Sequence, residues 1–223
     1  MSIVLVVAPH ADDESLGCGG TLLRHIANGD EVHWLLVTGM SEEAGFTPAQ
    51  IQKRQEEIAT VTQMYGFASV IEMQLPPAQL DKLTLGDVIG GISGAIKTLQ
   101  PETIYTVYRS DAHTDHQIVF DAVASCSKTF RYPCVKKLLC FETVSETDFS
   151  VRPEDPGFRP NYFVDISAFL ERKLEILAQF ESEMGEFPFP RSNQAITALS
   201  QVRGAQAGVN AAEAFMLLKE VVK

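Results

Sequence analysis

The most restrictive feature of this sequence is a short apolar run that stops abruptly at a polar turn. Residues 3–7 are all apolar and rich in β-branched side chains, and Pro9, His10 and three acidic residues follow almost at once. An uninterrupted run of this length is typical of a strand that is buried on both faces of a parallel sheet. A strand of this kind needs other elements packed against both of its faces.

The rest of the sequence alternates between strand and helix patterns. Further strands are predicted at residues 31–38, 68–73, 103–107, 136–142 and 161–165. Helices are predicted at residues 15–27, 48–65, 85–99, 117–128, 167–180 (capped by Ser167), 193–202 and 211–222. This alternation indicates βαβ units, so the predicted fold is α/β and Rossmann-like, with a mainly parallel sheet flanked by helices. No composition shift marks a boundary, which predicts a single domain over residues 1–223.

Composition restricts the partners and the location of the protein. The formal net charge is −11, and no apolar stretch reaches the 18 residues that a membrane span needs. Nucleic acids and anionic membranes both require a basic surface, so neither is expected as a partner, and a small neutral or cationic substrate is favoured. The apolar start lacks the basic residues of a signal peptide, which predicts a cytoplasmic protein. The four cysteines form no C-x-x-C pair and are expected to be free thiols that are mostly buried.

Two polar clusters follow two of the predicted strands. They are PHADDE at residues 9–14 and HTDH at residues 113–116. Both lie at the carboxyl ends of strands, where open α/β sheets bind ligands. Neighbouring carboxylates repel one another, and a divalent cation removes that penalty. The first cluster alone also suits an acidic turn that only caps a helix. The pair of clusters favours a metal site, and histidine with carboxylate suits zinc or ferrous iron.

Three other features carry weaker functional signals. His25 and His33 stand outside both clusters and are interpreted as packing residues. The GCGG segment at residues 17–20 lacks the spacing of a dinucleotide-binding loop, so it favours close packing over phosphate binding. For Arg54 two roles stay open: an ion pair with Glu57 or the first cluster, or a substrate anchor, since guanidinium binds carboxylate or phosphate through two hydrogen bonds.

The two clusters together resemble the motifs of the PIG-L/LmbE-like de-N-acetylases. PHADDE resembles that family's P-H-[PA]-D-D-E, and HTDH resembles its H-x-D-H. The segments KRQEE, NYFVDIS and RGAQAGVNAAEAF also resemble parts of the family, so the likeness covers nearly the whole chain. Ala11 and Thr114 stand where proline is commoner in the family.

The resemblance implies a metal site and a reaction. His10, Asp13 and His116 would bind the metal, expected to be Zn²⁺ or another divalent cation. The implied activity is removal of the N-acetyl group from a small glycoconjugate that contains N-acetylglucosamine. The family also leads us to expect a homo-oligomer.

The resemblance assigns further roles to residues beside the ligands. Asp12 would be the general base, because it adjoins Asp13 and can take a proton from water. His113 would assist the oxyanion or protonate the leaving amine, and Asp115 would orient His113 or support the site. No tyrosine is assigned to the oxyanion, although Tyr108 lies nearby.

Several other functions stay open from the residues alone. They are a metal-dependent amidase acting on a non-sugar or thiol conjugate, a metal-dependent phosphoesterase, a ferrous oxygenase and a non-enzymatic metal-binding protein. The presence of both Asp12 and His113 argues against the last of these, because holding a metal requires neither.

Overall fold

The computed structural model describes residues 1–222, so Lys223, the last residue of the predicted domain, lies outside the described residues. Its centre is a seven-stranded sheet in the order β3-β2-β1-β4-β5-β7-β6. The strands are β1 (Ile3–Ala8), β2 (Glu31–Thr38), β3 (Ser69–Leu75), β4 (Thr103–Val107), β5 (Lys137–Phe141), β6 (Tyr162–Asp165) and β7 (Ala212–Glu220). The first five in the sheet pair in parallel, and β7 pairs antiparallel with both β5 and β6.

Six helices pack around this sheet. They are α1 (Asp13–Ala27), α2 (Pro48–Tyr65), α3 (Leu85–Leu99), α4 (Thr114–Ser125), α5 (Leu170–Leu177) and α6 (Asn193–Ala207). The ends of α2 follow from local sequence, because the Thr47 side chain caps its first turn and Gly66, with a φ of 81°, ends it. The predicted α/β class and the mainly parallel sheet flanked by helices are confirmed.

The centre of the sheet is also where its strand order reverses. β1 pairs with β2 on one side and with β4 on the other, and Val4 to Ala8 are completely buried. The chain runs outward from β1 to β3 and then returns to place β4 on the other side of β1. Loops diverge at such a point, which leaves a crevice beyond the carboxyl ends of β1 and β4.

The glycine-rich start of α1 lies very close to its neighbours. A β-carbon at Gly17 would overlap the Phe141 ring, and one at Gly20 would lie 2.7 Å from the Ile166 side chain. The helix is also interrupted at Cys18, whose φ and ψ are −143° and 18°. The GCGG segment therefore serves close packing, as predicted.

Two predictions near the carboxyl terminus are wrong. Residues 211–222 were expected to be helical, but residues 212–220 form β7. Hydrogen bonding to strands on both sides outweighs the helix preference of the alanine-rich segment. Ser167 does not cap α5, which begins three residues later without a side-chain cap. Its hydroxyl instead donates to Asp165, at the end of β6.

The helices and the cysteines can both be compared with what the sequence predicts. No helix within residues 1–222 is both long and apolar enough to cross a membrane. All four cysteines are free thiols. Cys18, Cys126 and Cys140 are buried, whereas Cys134 is only partly buried.

Candidate metal and catalytic site

The two polar clusters meet at the central crevice. His10 follows β1, and His113 and His116 lie at the start of α4, just beyond β4. The His10 ring centroid lies 4.5 Å from that of His113 and 5.6 Å from that of His116. Residues about a hundred positions apart in the sequence therefore form one site, as the parallel pairing of β1 and β4 requires.

Three side chains form what we call the metal cluster: His10, Asp13 and His116. One potential ligand atom from each lies within 4.8 Å of the others. Asp13 is the first residue of α1, and its carboxylate accepts a hydrogen bond from the His10 backbone N–H at 2.9 Å. It also lies 3.3 Å from His10 Nδ1 and 3.3 Å from His116 Nε2. The turn after β1 thus fixes Asp13 between the two imidazoles.

His116 supplies the strongest indication that the cluster is built for a cation. Its Nδ1 lies 2.8 Å from Asp111, which in turn accepts a hydrogen bond from Thr147 at 2.6 Å. In the neutral imidazole, which is the form that binds a metal, this contact assigns the proton to Nδ1 and leaves a lone pair on Nε2. Nε2 is buried and makes no hydrogen bond of acceptable geometry among the described residues, although Asp13 lies 3.3 Å away. A buried nitrogen in this state is what a metal ligand requires.

His10 is held in a similar way. Its Nε2 lies 3.1 Å from Asp115, and its Nδ1 faces Asp13. A carboxylate on one ring nitrogen, with the other directed at the site, is the usual environment of a metal-binding histidine. The donors of the metal cluster therefore fit a divalent cation, and the chemistry of two histidines with one carboxylate suits zinc.

A second group of donors, His10, His113 and Asp115, also converges within 4.8 Å. Its atoms already have partners. Asp115 accepts hydrogen bonds from the backbone N–H groups of Ala78 at 2.7 Å and Leu80 at 3.2 Å. His113 Nδ1 accepts one from the Asp115 N–H at 3.1 Å. This group needs no cation to complete its hydrogen bonds.

The electrostatics of the metal cluster also favour positive charge. Burial lowers the pKa of His10, but contacts with Asp115 and Asp13 outweigh it and raise that pKa to about 9. Burial likewise opposes protonation of His116, and Asp13 and Asp111 raise its pKa to about 10. The surrounding carboxylates thus stabilise a proton on each of the two imidazoles, and a divalent cation would supply the same two charges.

Asp12 faces the cavity beside the metal cluster and pairs with an arginine. Its Oδ2 accepts a hydrogen bond from Arg191 Nη1 at 2.6 Å. Burial raises the pKa of Asp12 to about 6, with a further contribution from Asp13, and Arg191 opposes both. Sequence reasoning missed Arg191. It lies 179 residues from Asp12, in the loop before α6, and no motif surrounds it.

His113 is placed by the first turn of α4. It is the N-cap residue, and its Nδ1 accepts the Asp115 N–H. In the neutral imidazole the proton therefore lies on Nε2. Burial lowers the pKa of His113, and the nearby His10 lowers it further. Asp115 Oδ2 lies 3.1 Å from His10 Nε2 but 4.0 Å from His113 Nδ1, so the contact it makes is with His10.

Arg54 is buried behind the first cluster. It donates to the Ala11 carbonyl at 2.8 Å and lies 3.1 Å from Glu57 and 2.5 Å from Glu183. Its guanidinium also lies 5.5 Å from the centre of the Phe180 ring. These contacts match the ion-pair role considered for Arg54, although the side chain also borders the cavity.

The remaining candidates lie outside the site. The Tyr108 hydroxyl donates to Asp155 at 2.5 Å, which accounts for its proton. His25 and His33 each hydrogen-bond to side chains away from the cluster. Their interpretation as packing residues agrees with these contacts.

A cavity of about 250 Å³ opens beside the metal cluster, with His10, Asp12 and His113 in its wall. Five aliphatic or aromatic side chains from β2, α2 and the loop between them also line it. They are Leu36, Met40, Phe46, Ile51 and Ile58. The cavity is large enough for a ligand well beyond the size of an acetyl group.

Fold and site together define an α/β protein with a histidine–carboxylate cluster at the reversal point of its sheet. The sequence profile of the PIG-L family, described as GlcNAc-PI de-N-acetylase, matches residues 5–127. This is more than half of the chain, which therefore belongs to that family. The resemblance read from the two motifs is confirmed.

Three similar proteins illustrate the relationship. An uncharacterised deacetylase of Escherichia coli (strain K12), YaiS, is 28% identical over 148 residues, covering 64% of this chain and 74% of that protein. A probable N-acetyl-α-D-glucosaminyl L-malate deacetylase of Bacillus anthracis is 25% identical over 188 residues, covering 81% of this chain and 80% of that protein. The crystal structure of the conserved protein TT1542 from Thermus thermophilus has a TM-score of 0.79 and 26% identity, covering 100% of this chain and 97% of that one.

Proposed function

We propose that this protein is a metal-dependent hydrolase that removes the N-acetyl group from an N-acetylglucosamine unit of a small glycoconjugate. The observation that carries the proposal is the buried, unpartnered Nε2 of His116, which faces Asp13 beside a cavity that Asp12 borders. Family membership and relatives named as deacetylases support the reaction class.

His10, Asp13 and His116 would hold the metal, Zn²⁺ or another divalent cation. When bound, such a cation polarises an amide carbonyl and makes water a stronger acid at neutral pH. The two histidines are already oriented for this task, because Asp115 and Asp111 hold their other ring nitrogens.

Asp12 is the general base of the proposed reaction. Arg191 binds Oδ2, which leaves Oδ1 without a hydrogen-bond partner among the described residues and able to accept a proton from the attacking water. The water oxygen bonds to the carbonyl carbon, the C–N bond breaks, and the nitrogen leaves with a proton as the free amine. The products are acetate and the amino sugar. Proton transfer of this kind contributes roughly 10²–10⁴-fold to the rate.

His113 is the proposed hydrogen-bond donor. Its Nδ1 is occupied by the Asp115 N–H, so Nε2 carries the proton that is available to the substrate. A donor here stabilises the negative charge on the carbonyl oxygen and can pass a proton to the departing nitrogen. Asp115 supports the site through His10.

The expected partners follow from the same proposal. The substrate is a small glycoconjugate rather than a nucleic acid, and the acidic composition agrees with that choice. A cytoplasmic location and assembly into a homo-oligomer stay predictions from the sequence and the family.

The test is acetate release from methyl N-acetylglucosaminide, with the metal content of the same sample measured by elemental analysis. We expect release that a chelator abolishes and that Zn²⁺ or another divalent cation restores. N-acetylated amino acids and N-acetyl thiol conjugates serve as the comparison. If only these release acetate, the enzyme is an amidase acting outside sugars. If no compound releases acetate from metal-loaded protein, the deacetylase proposal is wrong.

A further inference from the structure

The cavity beside the metal cluster is lined by more carboxyl groups than guanidinium or ammonium groups. Four carboxyl side chains and two guanidinium groups border it, and no lysine does so among the described residues. The acids are Asp12, Glu72, Glu146 and Glu183, the guanidinium groups belong to Arg54 and Arg191, and His10 and His113 complete the set of titratable side chains. A divalent metal held partly by Asp13 would not reverse this balance. Whether an anionic substrate can bind therefore depends on whether either arginine is available to it.

Arg54 is not available. Its Nε lies 3.1 Å from Glu57, its Nη1 donates to the Ala11 carbonyl, and its Nη2 donates to Ser182 at 3.1 Å and Glu183 at 2.5 Å. The side chain is only 10% exposed. Two carboxylates already neutralise this cation, so turning it towards a ligand would leave Glu57 buried without its partner.

Arg191 is occupied in the same way. Nη1 donates to Asp12 at 2.6 Å and to Glu183 at 3.2 Å, Nη2 donates to Glu146 at 3.3 Å, and Nε donates to Ser145 at 2.7 Å. Three carboxylates surround this one cation. An anionic group on the substrate would have to compete with all of them at close range.

Besides the charged groups and the two histidines, the wall has a few uncharged polar side chains (Thr38, Gln55 and Gln74) and an apolar face. Met40, Phe46 and Ile51 are half-buried and border the cavity, and Leu36 and Ile58 lie deeper in the same wall. Apolar surface of this kind gains free energy when a ligand removes it from water. An aromatic ring such as Phe46 can also stack against a flat or alkyl ligand.

From these contacts we infer that the cavity binds an uncharged, apolar group attached to the acetylated sugar and rejects an anionic one. The inference rests on the proposed deacetylase function, which it narrows to N-acetylglucosaminides with an aryl or alkyl aglycone. It separates this chain from the Bacillus anthracis relative, whose name specifies malate, a dicarboxylate.

The test compares two glycosides that differ in one charge. Phenyl and 4-carboxyphenyl N-acetylglucosaminide are offered to metal-loaded protein, and kcat/KM is measured by acetate release, with the methyl glycoside as reference. We expect the phenyl compound to exceed the carboxylate by about tenfold or more, because like charges at close range oppose binding. Equal values, or a preference for the carboxylate, would overturn the inference. A cationic 4-aminomethylphenyl glycoside is the third compound. If its kcat/KM exceeds that of the phenyl compound, the inference that the bound group is uncharged is overturned.

Two variants test whether residues of the cavity wall cause the difference in kcat/KM between the glycosides. Phe46→Ala is expected to lower the ratio of phenyl to methyl kcat/KM several-fold, because it removes apolar contact area. Glu72→Gln is expected to raise kcat/KM for the carboxyphenyl glycoside relative to the phenyl one. Phe149→Ala, at a 57% exposed phenylalanine that does not line the cavity, is the matched control and should leave both ratios unchanged. Unchanged ratios in both wall variants would contradict the assigned surface.

Binding measured by calorimetry separates this inference from the function on which it rests. If none of the glycosides releases acetate, the deacetylase proposal fails, and the affinities of the phenyl and carboxyphenyl compounds still decide the inference. Tighter binding of the phenyl compound supports the assigned cavity chemistry. Equal or weaker binding overturns it.

Discussion

Two buried groups of charged residues contact neighbouring parts of α1, and they differ in whether all their polar atoms have partners. In the first, Lys173 on α5 lies 2.7 Å from Glu213 on β7 and donates to the Leu16 carbonyl at 2.9 Å. Glu213 also accepts the backbone N–H groups of Gly20 at 2.9 Å and Thr21 at 2.7 Å. Every charged atom of this pair thus has a partner within the protein.

The metal cluster is the second group, and it is incomplete. His116 Nε2 is buried without a hydrogen bond among the described residues, and its nearest acid, Asp13, serves two imidazoles at 3.3 Å each. Burying polar groups costs free energy unless they are paired, so the first group is complete as folded, whereas the second keeps a buried nitrogen that the proposed cation would pair. Five other buried side-chain atoms among the described residues also lack a partner, so the unmet nitrogen distinguishes this group only because histidine and carboxylate donors converge around it.

The largest effect is expected from His116→Ala. This change removes the unpartnered nitrogen, so we expect metal content to fall from about one atom per chain to near zero, with activity lost along with it. Elemental analysis after dialysis measures the loss. His33→Ala is the matched control, because His33 lies outside the cluster and should leave the metal in place. Full metal content in the His116 variant would show that the ligands are wrongly assigned.

Asp12→Asn tests whether the incomplete cluster performs chemistry as well as binding. The amide has the shape of the carboxylate but cannot accept the proton, so kcat should fall by roughly 10²–10⁴-fold. Metal content should stay close to that of the unaltered protein, since Asp12 is not a proposed ligand. A variant that keeps its activity would exclude Asp12 as the base.

Lys173→Met probes the complete group. Removing one member leaves the Glu213 carboxylate buried without its cation, which is expected to lower the free energy of unfolding by about 3–5 kcal/mol. Urea unfolding followed by circular dichroism measures the change. The double variant Lys173→Met/Glu213→Gln should recover much of the loss, because no uncompensated charge then remains. Loss of the metal from a Lys173 variant that is still folded would break the distinction between the two groups.

Asp111→Asn is expected to have the smallest effect of the four. Asp111 holds His116 Nδ1 at 2.8 Å, and loss of such a supporting carboxylate reduces metal affinity by about 10–100-fold. Competition with a chelator of known affinity gives the value. Asp148→Asn, at an exposed acid nearby, is the control. An unchanged affinity would mean that Asp111 does not orient the ligand.

The parallel part of the fold was predictable because its central strands are short and largely apolar. β1, β2 and β4 have such runs, and the polar turns after β1 and β4 showed where the sheet places its ligands. β7 was not predictable in this way. Residues 211–214 read AAEA, which favours a helix, and only pairing with β5 and β6 makes the segment a strand.

The residues of the candidate site that belong to the two motifs were predictable from the sequence, whereas Asp111 and Arg191, which lie outside the motifs, were not predicted. His10, Asp13 and His116 were placed together from the sequence, and the structure brings their donors within 4.8 Å. Asp111 had a signal that went unused, since metal-binding histidines regularly bond a second carboxylate and this one lies five residues from His116. Arg191 had none, because its position depends on the path of a loop that no local pattern specifies.

The position of β7 also bears on the order in which a growing chain can fold. β7 separates β6 from β5, so residues 162–165 have no neighbouring strand until residues 212–220 have been synthesised. Glu213 on the same strand binds the N–H groups just after the interruption in α1, the helix that carries Asp13. During translation, therefore, α1 gains its hydrogen bonds to Glu213 only after about 200 further residues have been synthesised. His10 and Asp13 leave the ribosome long before the helix that carries Asp13 is fully supported.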